Sequence, residues 1–220
     1  MTSNNFSLRL VAVAALLGLS GAAQAALTVY TDEASFMAAV INAGTDDFRN
    51  LFAGGGPANP YLGTTTTGTA YSYAASAPLG LYGIAGSPNW LSMAFANDTL
   101  TIAGFGGLVK AVGGMFFNTN SSGASSGGNL TVTGSDGGTS AFSTIIGATT
   151  GSFVGFVSSG AMSSLTVVSD NSSNGIPDFS FQTVGSLVLA SVTAVPEPET
   201  YALMLAGLGL VGFLARRRRA

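Results

Sequence analysis

Short runs in which apolar residues alternate with Ser, Thr or Ala recur through most of this chain, and they constrain its fold more than any other feature. Leu91, Met93 and Phe95 alternate with Ser92, Ala94 and Ala96. Leu100 and Ile102 alternate with Thr99 and Thr101, and Leu130 and Val132 with Thr131 and Thr133. Phe142, Thr144 and Ile146 share one parity, as do Phe153, Gly155 and Val157. Leu165 with Val167, Phe179 with Phe181 and Leu187 with Leu189 continue the pattern. A period of two marks a strand with one buried face. Gly, Ser and Asn fill the gaps between runs. Ser135-Asp136-Gly137-Gly138 predicts a hairpin turn, because Gly accepts a positive φ. About nine or ten short strands at this spacing predict an all-β fold, an antiparallel β-sandwich.

One segment breaks the alternation. Phe36, Met37, Val40 and Ile41 stand at helical spacing, with Thr31 or Asp32 able to cap the turn and acids at its start. This predicts a single short N-terminal helix over 33–42, after a first strand over 27–31. Residues 53–78, rich in Gly, Pro, Thr and Ser, read as a long loop with an irregular strand near 64–73. Residues 118–129 read as a low-complexity Ser/Gly loop.

Composition narrows the chemistry. The 220 residues include no His and no Cys, and only 8% are charged, against about 25% in ordinary soluble domains. Without His or Cys there is no imidazole base, no thiolate nucleophile and no zinc site of the usual kind. Residues 26–194 hold Arg49 and Lys110 as their only bases against eight acids. Two cations cannot track a phosphate backbone, so nucleic acid is not an expected partner.

The remaining basic residues sit at the ends. Arg9 precedes an unbroken apolar run over 10–19, followed by the small-x-small site Ala23-Gln24-Ala25. That layout predicts a signal peptide over 1–25, cleaved after Ala25 by the general secretion machinery. As a helix the ten-residue run would reach about 15 Å, half of the ~30 Å hydrocarbon core, too short for an anchor. At the other end, Pro196-Glu197-Pro198 precedes an uncharged apolar stretch and then Arg216, Arg217, Arg218 and Arg219. A helix over 200–215 would span about 24 Å, which snorkelling arginines and an interfacial Tyr201 extend across the membrane. The positive-inside rule puts the arginines in the cytoplasm.

The three residues Pro196, Glu197 and Pro198, the apolar helix and the arginine cluster together resemble the PEP-CTERM sorting signal, over residues 195–220. The resemblance implies export across the inner membrane of a Gram-negative bacterium, and transient anchoring there. It further implies removal of the tail by exosortase, then release to the cell surface or beyond. It makes the motif residues recognition elements, not catalytic ones. The segment from Val29 to Phe36, the run Phe153-Val-Gly-Phe156 and the pair Asp178-Phe179 are similar to ectodomains attached to such tails, which implies a jelly-roll-like sandwich over 26–194.

Three constellations in that domain are candidates for chemistry. Paired carboxylates can cleave a glycosidic bond, but Asp46 and Asp47 are adjacent and would face opposite sides of a strand. Lys110, the only lysine, reads as an outward residue. Asp170, Ser172, Asn174 and Asp178 space oxygen atoms like the start of a calcium loop. That run reads either as a weak structural calcium site or as a solvated Asx-rich turn. Tyr71, Tyr73, Tyr82 and Trp90 are a candidate platform for polysaccharide, Tyr71 and Tyr73 sharing one strand face. The expectation is a non-enzymatic surface or matrix protein, structural or adhesive in an extracellular polysaccharide layer of a biofilm. The alternatives are a carbohydrate-binding module with a weak calcium site or, third, a secreted glycoside-active enzyme.

Overall fold

The computed structural model describes residues 27–86, 88–96, 98–170, 180–193, 204–209 and 216. The signal segment 1–25 and the sorting motif 196–198 lie outside the described residues. Of the expected helix over 200–215, only 204–209 are described; they are helical and exposed, as is Arg216. Among the described residues no helix is long and apolar enough to cross a membrane.

The described residues from 27 to 193 form one compact unit. It opens with β1 (Leu27–Tyr30), α1 (Glu33–Ala39), β2 (Ile41–Asp46), β3 (Tyr61–Thr64), β4 (Thr67–Gly68) and β5 (Ser72–Ser76). β6 (Leu81–Ile84), β7 (Trp90–Met93), β8 (Leu100–Ala103), β9 (Ala111–Thr119) and β10 (Asn129–Ser135) follow. β11 (Ser140–Ile145), β12 (Phe153–Ser158), β13 (Ser164–Asp170) and β14 (Phe181–Ser191) complete it. Every strand pairing is antiparallel.

The strands form two sheets. The first runs β1-β12-β9-β14-β2-β4, and the second runs β11-β10-β13-β8-β5-β3. β14 is long enough to pair with β9 along one edge and with two strands along the other. Its first half takes β7, which carries β6, and its second half takes β2. A register shift between Val184 and Ser186 separates the halves, as a bulge does where a strand must bend.

One core joins the sheets. Leu91, Phe116, Phe156, Leu187 and Leu189 from the first meet Leu100, Ile102, Leu130, Leu165 and Val167 from the second, all at 0% exposure. Phe156 of β12 lies over Gly134 of β10, where an added Cβ would stand 2.5 Å from the ring.

α1 covers the other face of the first sheet. Asp32 caps it by accepting from the Ser35 amide at 2.7 Å, and Glu33 occupies the first turn. Seven residues make a marginal helix in isolation. What holds this one is Phe36, fully buried between Tyr30 and Phe153, at ring-centroid distances of 6.0 and 5.3 Å. Burying such a ring contributes about 1.5–3 kcal/mol. Gly113 and Gly155 leave the room: a Cβ on Gly113 would stand 2.7 Å from Phe153, and one on Gly155 would overlap Phe36.

The structure corrects four expectations. The helix stops at Ala39, and Ile41–Asp46 is strand β2, not helical continuation. Val40 is extended, with φ −119° and ψ 163°, so the apolar spacing of Val40 and Ile41 serves a strand entry. The supposed long loop carries three strands, β3, β4 and β5. Phe142 and Ile146 are 69% and 74% exposed, so that parity faces outward. Phe95 is also exposed, because β7 ends at Met93. The Ser135–Gly138 turn forms as expected between β10 and β11, with Gly137 at φ 87°. There the Asp136 carboxylate accepts from the Gly138 and Thr139 amides at 3.0 and 2.7 Å.

Candidate functional site: an uncharged cleft on the first sheet

At the end of the first sheet away from α1, β6, β7, β14 and β9 present their outward residues side by side. Pairing sets Tyr82 opposite Ser92, Ser92 opposite Thr183, and Phe181 opposite Thr119. Three hydroxyls run in a row just beneath this surface. Ser92 Oγ lies 2.8 Å from Thr183 Oγ1, which lies 2.9 Å from Thr119 Oγ1. The backbone oxygens of Gln182 and Phe181 accept from the row, at 3.1 Å between Thr183 Oγ1 and Phe181 O. All three side chains are nearly inaccessible, at 1% or less. A satisfied polar row in so dry a place fixes its members rigidly.

Above this row lies a cleft of about 380 Å³, lined in part by Ser92, Met93 and Thr119. That is near the lower end of the ~300–1,000 Å³ common for ligand clefts. Tyr82, Ile84 and Phe181 supply its apolar and aromatic sides. Gly54, Gly83, Ala85 and Ala94 and the turn after β9, Asn120 to Gly123, complete the lining. Asn120 Oδ1 builds that turn by accepting from the Ser122 amide and hydroxyl and the Ala124 amide, at 3.0, 2.7 and 3.0 Å. Gly123, at φ 79°, brings the turn down onto Ile84; a Cβ there would meet Ile84 Cγ2 at 3.0 Å.

No lining residue carries a formal charge. Tyr82, Ser121 and Asn120 all line the cleft, and among the described residues the two hydroxyls and the Asn120 amide nitrogen have no hydrogen-bond partner.

The four candidate rings are dispersed. Tyr82, 40% exposed, is the one that lines the cleft. Trp90 opens β7 and packs edge-on against Phe117, centroids 4.9 Å apart, outside the lining. Tyr71 and Tyr73 do share a face, but it is the inner one. Tyr71 donates its hydroxyl to the Asn42 carbonyl at 2.8 Å. Tyr73 is 2% exposed and donates to Asp46 Oδ2 at 2.7 Å, so it offers no surface to a polysaccharide. The hydroxyl row, Phe181 and the Asn120 turn were not foreseen. Ser92 and Thr183 look like the polar side of an alternating strand, and only pairing between distant segments shows them as one row.

Asp46 is the deepest described carboxylate, at 1% exposure, and it also accepts from the Phe48 amide at 2.9 Å. Burial pushes its carboxyl above the usual range, although the Tyr73 hydroxyl and Phe48 amide pull the other way. Its neighbour Asp47 instead turns out to Arg49, whose guanidinium holds it well below that range. Burial raises the Tyr73 phenol far above its ordinary value, and the adjacent Asp46 charge adds to this. Asp46 and Tyr73 thus form a buried internal pair.

Lys110 donates to the Ser159 carbonyl at 2.7 Å. Asp170 closes β13, while Ser172, Asn174 and Asp178 lie outside the described residues, so the candidate calcium loop does too. Among the described residues no group of three or more Asp, Glu, His or Cys is placed to hold a metal ion. Ala23, Ala25, Pro196, Glu197, Pro198 and Arg217 to Arg219 are likewise outside the described residues.

Residues 194–219 match the family model of the PEP-CTERM protein-sorting motif. No curated protein and no solved structure matches the chain.

Proposed function

We propose, from the PEP-CTERM sorting motif that the chain carries, that this protein is exported and anchored in the inner membrane of a Gram-negative bacterium by the helix over 200–215. Exosortase then trims the tail, and the domain is displayed at the cell surface or in the extracellular polysaccharide layer. Its role there is structural or adhesive, and the two-sheet domain is a jelly-roll-like sandwich built for display. The single observation that carries this reading is the motif match over 194–219.

Two features agree with it. The domain covers itself with Ser, Thr, Asn and Gly in place of charge, which suits packing among neutral polymers better than binding nucleic acid. The cleft lining is likewise free of formal charge, which fits the same neutral surroundings.

Replacing Pro196, Glu197 and Pro198 by alanine in an exosortase-bearing host tests the reading. The variant is expected to stay in the membrane fraction at full mature length, while the parent is trimmed and released. Equal trimming and release of both would overturn it.

A further inference from the structure

We propose that the cleft between Tyr82, Phe181 and the Asn120 turn binds one or two residues of an uncharged sugar. This adds a ligand to the exported domain and does not depend on how the tail is processed.

The chemistry of the lining selects the class of ligand. A phosphate, carboxylate or ammonium group entering the cleft would lose water and find no counter-charge, which is unfavourable. A purely apolar ligand would strand the Tyr82 hydroxyl, the Ser121 hydroxyl and the Asn120 amide against it, with none of their hydrogen bonds replaced. A sugar ring meets both conditions. Its C–H face suits an aromatic side such as Tyr82 or Phe181, and its hydroxyls can pair with the three uncommitted polar groups. Those groups supply donors and acceptors together: Asn120 Nδ2 donates only, and the two hydroxyls do either.

The site is also prepared in advance. The Ser92–Thr183–Thr119 row holds the floor, and Asn120 Oδ1 with Gly123 holds the turn. Little has to be ordered when a ligand arrives, which favours affinity. A cleft of about 380 Å³ suits a short terminus or a pair of rings, so the domain would grip a chain at a point, not along a track.

The test titrates the full chain, in a zwitterionic detergent without a sugar headgroup, with neutral disaccharides of glucose and galactose. Glucuronate serves as the charged control, and calorimetry reads the binding. Saturable binding of at least one neutral disaccharide is expected, at least tenfold tighter than glucuronate. Tyr82→Ala should weaken it at least tenfold. Tyr82→Phe, which keeps the ring, should weaken it less, and Ser121→Ala should weaken it as well. Tyr82 and Ser121 are exposed, so these variants should melt close to the parent, a point circular dichroism checks. Absence of saturable binding, equal binding of glucuronate, or parent-like binding by Tyr82→Ala would each overturn the proposal.

Discussion

The Tyr73 hydroxyl donates to Asp46 Oδ2 at 2.7 Å, and this one bond ties β5 of the second sheet to β2 of the first inside the core. Both side chains are almost fully buried. Tyr73→Phe keeps the ring but leaves a buried carboxylate short of a donor, which costs about 1–3 kcal/mol. Urea unfolding of the variant and parent at neutral pH should show that loss as a lower midpoint with an unchanged slope.

The same carboxylate shapes the response to pH. Because burial raises the folded pKa of Asp46 above 3.8, the folded chain keeps this proton to a higher pH than the unfolded chain. The resulting stabilisation is whole below the unfolded value and lost as pH rises through the folded one. Asp47 works in the opposite sense: held low by Arg49, it stabilises above 3.8 and loses that as pH falls. Asp136 acts with Asp47: its burial works against this, but the Thr139 and Gly138 amides and the Ser158 and Thr139 hydroxyls together outweigh burial and lower its pKa. In Asp46→Asn the decline on the rising side should vanish while the acid-side loss stays. Unfolding free energies across a pH series read both limbs, and parallel curves for variant and parent would contradict the assignment.

Thr183 is the hub of the hydroxyl row. Thr183→Val is close to isosteric, so it removes the bonds at 2.8 and 2.9 Å to Ser92 and Thr119 with little change in volume. Ser92 and Thr119 then keep only their longer bonds to the Gln182 and Phe181 carbonyls, at 3.3 and 3.5 Å, for a loss of about 0.5–1.5 kcal/mol in chemical denaturation. A variant as stable as the parent would mean that the row is incidental.

Gly155 seats the helix. In Gly155→Ala the new methyl overlaps the Phe36 ring, so α1 must lift or the strand must shift. Overpacking of this kind costs about 1–3 kcal/mol. Faster hydrogen exchange at 33–39 and in β1, with the core of the second sheet unchanged, is the expected pattern.

Much of this fold is legible in local spacing. The Asp32 cap, the Ser135–Gly138 turn and the alternations in β8, β10 and β13 follow from residues near each other in the chain. β2 was hidden because Ile41-Asn-Ala-Gly-Thr-Asp46 contains few strand-forming residues; its place beside β14 is set by pairing across the molecule. Phe142 and Ile146 misled because burial depends on which face of β11 meets the other sheet, and an edge strand leaves that open. For the cleft, Tyr82 was visible as an aromatic residue among others. The hydroxyl row needed Ser92, Thr119 and Thr183 brought together from three distant strands, and no local pattern encodes that. Tyr73 looked like a surface ring because its partner, Asp46, lies 27 residues away.

Intact mass and terminal sequencing of the mature protein, from matched hosts with and without exosortase, test the central claim most directly. The account predicts an N-terminus at Ala26 in both hosts. It further predicts loss of Arg216 to Arg219, with a new C-terminus near Pro196 to Pro198, only where exosortase is present. An intact arginine tail on protein recovered outside the membrane of the exosortase-bearing host would contradict it.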